Sequence, residues 1–289
     1  MELQYVLLFL TALFIVFQKF TQDRYNAKRD SGVFFFSGMI SFFAMCFFMA
    51  VNRDWTWSDE LILPTVFFGL AYAAGTVFIV LAIKCGSLAK TTLIASYSLL
   101  VPAFTGLIIL REPLGIPMIV GMVFLVVSLW LTNHRKTSPD APKEKITLKW
   151  IIFLALAFAG NGMCSTVQKL TPYYLGEDIN QNLYMIAALG LSTVVLITAS
   201  FFTKETGLKD TLKVGLPLSF LCGLFNGAVN YLVIYLNPFI PASVMFPVLS
   251  AGEIILIVPY SLLVRREKFT AAQWAGFAVG VVSVVLLNL

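Results

Sequence analysis

One carboxylate stands where water should not reach it. Glu253 follows Val248-Leu249 and precedes Ile254-Ile255-Leu256-Ile257-Val258, the middle of an apolar run long enough to cross a bilayer. A charged carboxylate is costly there, so such a residue takes a proton, pairs with a cation or faces a cavity. Two kinds of chemistry fit it: proton coupling, or neutralisation of a cationic group on a substrate. The plainer role is a hydrogen-bonded acid that packs helices.

Neutral hydrogen-bonding residues occur in neighbouring runs. Asn226 and Asn230 are four apart, hence on one face of a helix. Tyr72 and Thr76 repeat that spacing 154 residues earlier, Ser96 and Ser98 lie in the next run, and Ser250 precedes Glu253 by about one turn. A single polar residue in an apolar helix often does no more than join it to a neighbour. As a set with Glu253 they suggest a substrate-binding cavity, to which Tyr72, Tyr97 and Tyr231 could offer ring faces for a cation. Gly223 and Gly227, like Gly69 and Gly75, would let helices approach closely there. Gln18-Lys19 and Gln168-Lys169 end two further runs. They read either as symmetry-related gating residues or as lysines that snorkel to the membrane surface.

Little else invites chemistry. His134, the one histidine, lies in a polar loop, no span carries paired carboxylates at helical spacing, and Cys46, Cys85, Cys164 and Cys222 show no metal-like spacing. No catalytic residue, metal or cofactor is expected, and the cysteines read as small buried hydrophobes without disulfides.

The elements that must position these residues are membrane spans. Hydrophobic residues make up 59% of the chain and charged ones 12%, with mean hydropathy +0.87; soluble domains carry about 25% charged residues. Ten segments of suitable length fit, at 4–20, 32–51, 61–83, 88–110, 114–132, 148–168, 182–203, 213–236, 239–264 and 269–288. The first lacks a basic n-region and a clear cleavage site, and is expected to remain as a span. All five tryptophans fall near segment ends or in a short loop, as in an interfacial aromatic belt.

The chain repeats itself. Arg111-Glu112 recurs as Arg266-Glu267, each with a glycine nine residues on, and Gln18-Lys19-Phe20-Thr21 recurs as Gln168-Lys169-Leu170-Thr171. Two five-span halves must insert in opposite orientations, which predicts an all-α membrane protein of ten helices in two inverted repeats. The first repeat covers 1–132, a proline-punctuated linker 133–147, and the second repeat 148–289. Odd-numbered loops and their flanks hold 17 of the 20 basic residues, which places them, and the linker, in the cytoplasm. Lys19 then lies near the inner face and Lys169 near the outer. Glu112 and Glu267 read as structural, Glu112 because it precedes Pro113 at a helix start.

With this plan the chain resembles the drug/metabolite transporter superfamily, specifically its EamA-like members. The stretch Ala82-Ile83-Lys84-Cys85-Gly86-Ser87, a span and then Arg111-Glu112 resembles the family's third-to-fifth helix pattern, and Lys19 fits the end of its first span. The resemblance covers both halves and implies export or exchange of amino acids, nucleotide sugars, choline-like cations or drugs. It departs where the family often has Glu-Pro in the fourth and ninth spans: here stand Ser98-Leu99 and Glu253-Ile254.

These readings point to a secondary transporter, an exporter or exchanger of a small polar organic metabolite such as an amino acid or amine, working by alternating access. No Walker-type phosphate loop is present, so a proton or substrate gradient would drive it. The rival readings are an intramembrane enzyme, and a lipid-flipping or scaffold subunit that does not transport. The expected partners are the substrate and the lipid bilayer of the cell (plasma or inner) membrane, with no nucleic acid. The expected state is monomer or homodimer.

Overall fold

The computed structural model describes residues 2–29, 31–86, 91, 94–95, 97–112, 115–133, 147–176, 179–203, 205, 208–263 and 270–287. Among these no strand occurs. The first half supplies α1 (Glu2–Lys28), α2 (Val33–Val51), α3 (Ile62–Cys85), α4 (Leu100–Ile108) and α5 (Ile116–Asn133). The second supplies α6 (Leu148–Leu175), α7 (Gln181–Phe202), α8 (Leu208–Leu236), α9 (Ala242–Leu263) and α10 (Ala271–Leu287). A 3-10 turn at Tyr97–Leu99 leads into α4. Among the described residues six helices, α1, α2, α3, α6, α7 and α8, are long and apolar enough to cross a bilayer.

Polarity is distributed as in an integral membrane protein. Phe9, Ile108 and Phe202 are 59%, 75% and 81% exposed, while Ser41, Ser192 and Glu253 are buried. Large apolar side chains outside and small polar ones inside suit a molecule surrounded by hydrocarbon, where packing and internal hydrogen bonds hold helices together.

Helix α3 runs along α6 and α1 along α8, so each pair joins the two halves. The α3–α6 contact depends on glycine: a Cβ added at Gly160 would come within 2.5 Å of Gly75 N and 2.7 Å of Ala71 O. Helix α2 packs on α7 and α8, α9 on α4 and α1, and α5 on α10. The α5–α10 seam carries reciprocal bonds: Ser128 Oγ donates to Gly276 O at 2.6 Å and Ser283 Oγ to Gly121 O at 2.7 Å. Rising numbers on α5 meet falling ones on α10, so the two helices are antiparallel. Helices α2 and α7 are antiparallel too, with Ser41 Oγ and Ser192 Oγ 3.1 Å apart between them.

Helix ends show why hydropathy misplaced several boundaries. Helix α1 continues to Lys28, beyond the expected end at 20, and α6 to Leu175, beyond 168. The extra turns of α1 are held by protein: Gln22, Asp23 and Tyr25 are buried, and Tyr25 stacks on Phe36 with ring centroids 3.8 Å apart. Tyr25 also donates to Ser31 O at 2.7 Å. At the start of α2, Gly32 holds φ 80°, and the free amides of Phe34 and Phe35 bind the Glu205 carboxylate at 2.9 and 3.1 Å. Trp150 departs from the expected belt: it is buried and donates to Thr91 Oγ1 at 3.0 Å. All four cysteines are free thiols. Linker residues 134–146 and the Arg266-Glu267 hairpin lie outside the described residues.

Candidate functional site

A cavity of about 170 Å³ lies where α1, α3, α6, α8, α9 and the Tyr97–Leu99 turn converge. Helix α1 contributes Gln18, Lys19 and Gln22; α3 contributes Tyr72, Thr76 and Ile79. Asn226 and Asn230 enter from α8, Ser98 from the turn and Glu253 from α9. Helix α6 adds Asn161, Cys164 and Ser165.

Glu253 and Lys19 form an ion pair inside the bundle. Glu253 lies at the middle of α9, and Lys19 lies nine residues before the end of α1, about 14 Å along its axis. Of the two readings of Lys19, snorkelling does not describe this arrangement. With α1 continuing past it, the ammonium turns inward to the carboxylate. The carboxylate, for its part, finds its cation within the protein.

The neutral groups form a directed network. Tyr72 Oη donates to Asn226 Oδ1 at 2.8 Å, and Asn226 Nδ2 donates to Gln18 Oε1 at 2.8 Å. Asn230 Nδ2 donates to both Asn226 O and Asn226 Oδ1 at 2.9 Å. The Asn226 amide thus faces Tyr72 and Gln18 from different helices, and its orientation is fixed by both. In a medium of low dielectric these bonds are strengthened, and each partner is costly to strand.

A second constellation crosses the bundle beyond Asn230. Gln168 Nε2 donates to Asn230 O at 3.1 Å, and Lys169 Nζ donates to Asn237 O and Ile240 O at 3.0 and 3.3 Å. Lys169 Nζ lies 3.9 Å from Glu112 Oε1, and the Glu112 carboxylate accepts from Ala242 N and Ser243 N at 2.8 Å each. Glu112 therefore caps α9, whose start packs on the α4 end through Gly106. Lys169 is likewise no snorkelling lysine.

The remaining expected residues divide. Thr76 and Ser98 line the cavity, although Ser98 Oγ is committed to Ala95 O at 2.6 Å. Ser250 is buried on α9 but does not line it, and Ser96 lies outside the described residues. Tyr231 packs near Phe47, its ring centroid 6.2 Å away, and neither it nor Tyr97 reaches the cavity. Gly223 and Gly227 give close approach to α2, through Ile40 O and Phe47, and Ile40 itself lines the cavity. Asn161, Ser165 and Gln22 were missed. Asn161 carried a signal: it follows Gly160 in a run of small residues, and its side chain meets Gly75 across the α3–α6 contact. Among the described residues no group of three His, Cys, Asp or Glu could hold a metal ion.

No protein-family model and no curated protein matches the chain. A solved crystal structure does, with a TM-score of 0.75 and 11% identity, covering 99% of this chain and 96% of that one. At that identity the likeness is one of fold alone.

Proposed function

We propose that the chain is a secondary transporter of a small polar organic metabolite, built as two inverted five-span repeats of the EamA-like kind. The observation that carries this reading is the polar cavity with its buried ion pair, enclosed by helices of both halves inside an apolar bundle. Secondary transporters place substrate sites at such repeat interfaces near mid-membrane.

The packing supports the repeat. Ser128 and Ser283, like Gly121 and Gly276, are 155 residues apart, and their bonds exchange partners as a twofold relation requires. Equivalent helices that run antiparallel put that axis in the membrane plane, which is the meaning of inversion. Tyr72 and Asn226 bond to each other across a separation of 154.

The cavity departs from this symmetry, and the departure supports alternating access. Its wall includes Gln18, Lys19 and Gln22 but not their counterparts Gln168, Lys169 and Pro172. Those bonds of Gln168 and Lys169 close the end away from the basic loops, so in this reading the site faces the cytoplasm and Gln168-Lys169 form the closed gate. In the opposite state Gln18-Lys19 would close the other end. Localisation in the cell membrane, with the linker cytoplasmic, belongs to the same proposal.

Counterflow in proteoliposomes tests it. Vesicles loaded with a metabolite mixture should accumulate a labelled member of it against its gradient. A labelled solute that is chemically altered would indicate an enzyme, and no movement of any solute would defeat transport.

A further inference from the structure

We propose that the Lys19–Glu253 pair is the recognition element for a zwitterion, a substrate carrying an ammonium and a carboxylate on one small skeleton. The inference rests on the transport reading and names the substrate class of that site.

It follows from counting charges. Among the described residues that line the cavity, Lys19 and Glu253 are the charged ones, and they neutralise each other. An amine that took Glu253 would strand Lys19 in the bundle, and a carboxylate that took Lys19 would strand Glu253. Stranding one member of a buried pair is far more costly than leaving the pair alone. A zwitterion avoids both penalties: its carboxylate takes Lys19, its ammonium takes Glu253, and one internal pair becomes two intermolecular ones.

Exposure gives an order. The Lys19 side chain is 13% exposed and that of Glu253 2%, so the carboxylate meets Lys19 before the ammonium reaches Glu253. The two residues come from separate helices, α1 and α9, which pack on each other. A ligand between them therefore couples occupancy to the α1–α9 contact. Asn230 and Thr76 offer uncharged hydrogen bonding to the rest of the solute. The rival is a neutral polar solute that binds this lining and leaves the pair intact.

The test uses the full chain, purified for thermal-shift binding and reconstituted for counterflow. Its probes share one skeleton: leucine, 3-methylbutylamine, 4-methylpentanoate and 4-methylpentanamide, with matching sets built on alanine and phenylalanine. Wild type should bind and exchange the amino acid about 100-fold or more better than the three analogues, the scale of a stranded buried charge. Lys19→Met should reverse the preference toward the amine, and Glu253→Gln toward the carboxylate. Should either single variant fail to fold, Lys19→Met/Glu253→Gln restores neutrality and should prefer the amide. Equal binding of amide and amino acid by wild type, an unchanged preference in the variants, or no binding of any probe overturns the inference. Counterflow of any neutral or singly charged metabolite would still leave the transport reading standing, which separates the two failures.

Discussion

The hydroxyl of Tyr72 and the amide oxygen of Asn226 are 2.8 Å apart. They lie 154 residues apart, on α3 and α8, with the hydroxyl donating and the amide oxygen accepting. Because Tyr72 holds the oxygen of the Asn226 amide, its nitrogen is turned toward Gln18 Oε1.

Unequal costs should follow from that network. Tyr72→Phe removes one donor while Asn226 Oδ1 still accepts from Asn230, so a loss of about 1 kcal/mol is expected. Asn226→Leu strands the Tyr72 hydroxyl and Gln18 Oε1 together, for about 3 kcal/mol or more. Thermal unfolding in detergent ranks the two, and equal losses would show that Asn226 does not organise the site.

Glu253→Gln should abolish exchange of the amino acid while the protein still inserts in the membrane. As for stability, Lys19→Met and Glu253→Gln should each cost about 3–5 kcal/mol, because each leaves its partner unpaired. The double variant should regain most of that loss. Additive losses in the double-mutant cycle would mean that the pair is not coupled.

Glu112→Gln weakens the acceptor for two α9 amides and the nearby counter-charge of Lys169. A loss of about 1–2 kcal/mol is expected. Hydrogen exchange should speed up at Ala242 and Ser243 but not at Leu183, which Asn180 caps independently. Unchanged exchange at the first two amides would remove Glu112 from this role.

Gly160→Val should drive α3 and α6 apart, since its Cβ would strike backbone atoms that no rotamer change can move. The expected loss is about 3 kcal/mol or more, beyond ordinary overpacking. Gly115→Ala, whose Cβ would meet Pro117 Cδ at an ordinary 3.6 Å among the described residues, is the control. Similar melting temperatures for the two variants would contradict the close helix contact.

In a background without native cysteines, Ser138→Cys should resist impermeant thiol reagents in intact cells, while Glu60→Cys should react. Reactivity in the reverse sense would invert the proposed orientation.

The helical runs were legible because lipid demands long apolar segments, and the echoes at Gln18-Lys19 and Gln168-Lys169 marked positions that do face the interior. The cavity faces of Tyr72, Thr76, Asn226 and Asn230 were legible from four-residue spacing. What periodicity could not carry was pairing across hundreds of residues. Lys19 looks terminal because the last turns of α1 are polar, whereas the burial of Gln22, Asp23 and Tyr25 holds those turns against the protein. Tyr231 seemed as eligible as Tyr72, but it sits beside Phe47 on another face of the bundle. Glu112 was assigned to the helix next to it in sequence, whereas the amides it satisfies begin at Ala242, 130 residues later.

The Lys19–Glu253 pair also sets a clock on biogenesis. Its members are 234 residues apart, so at ordinary synthesis rates the lysine enters the membrane roughly 10 to 50 s before its carboxylate exists. The pair can therefore close only after α9 has been made, so the contact that joins α1 to α9 through these two charges is a late one in the life of the chain.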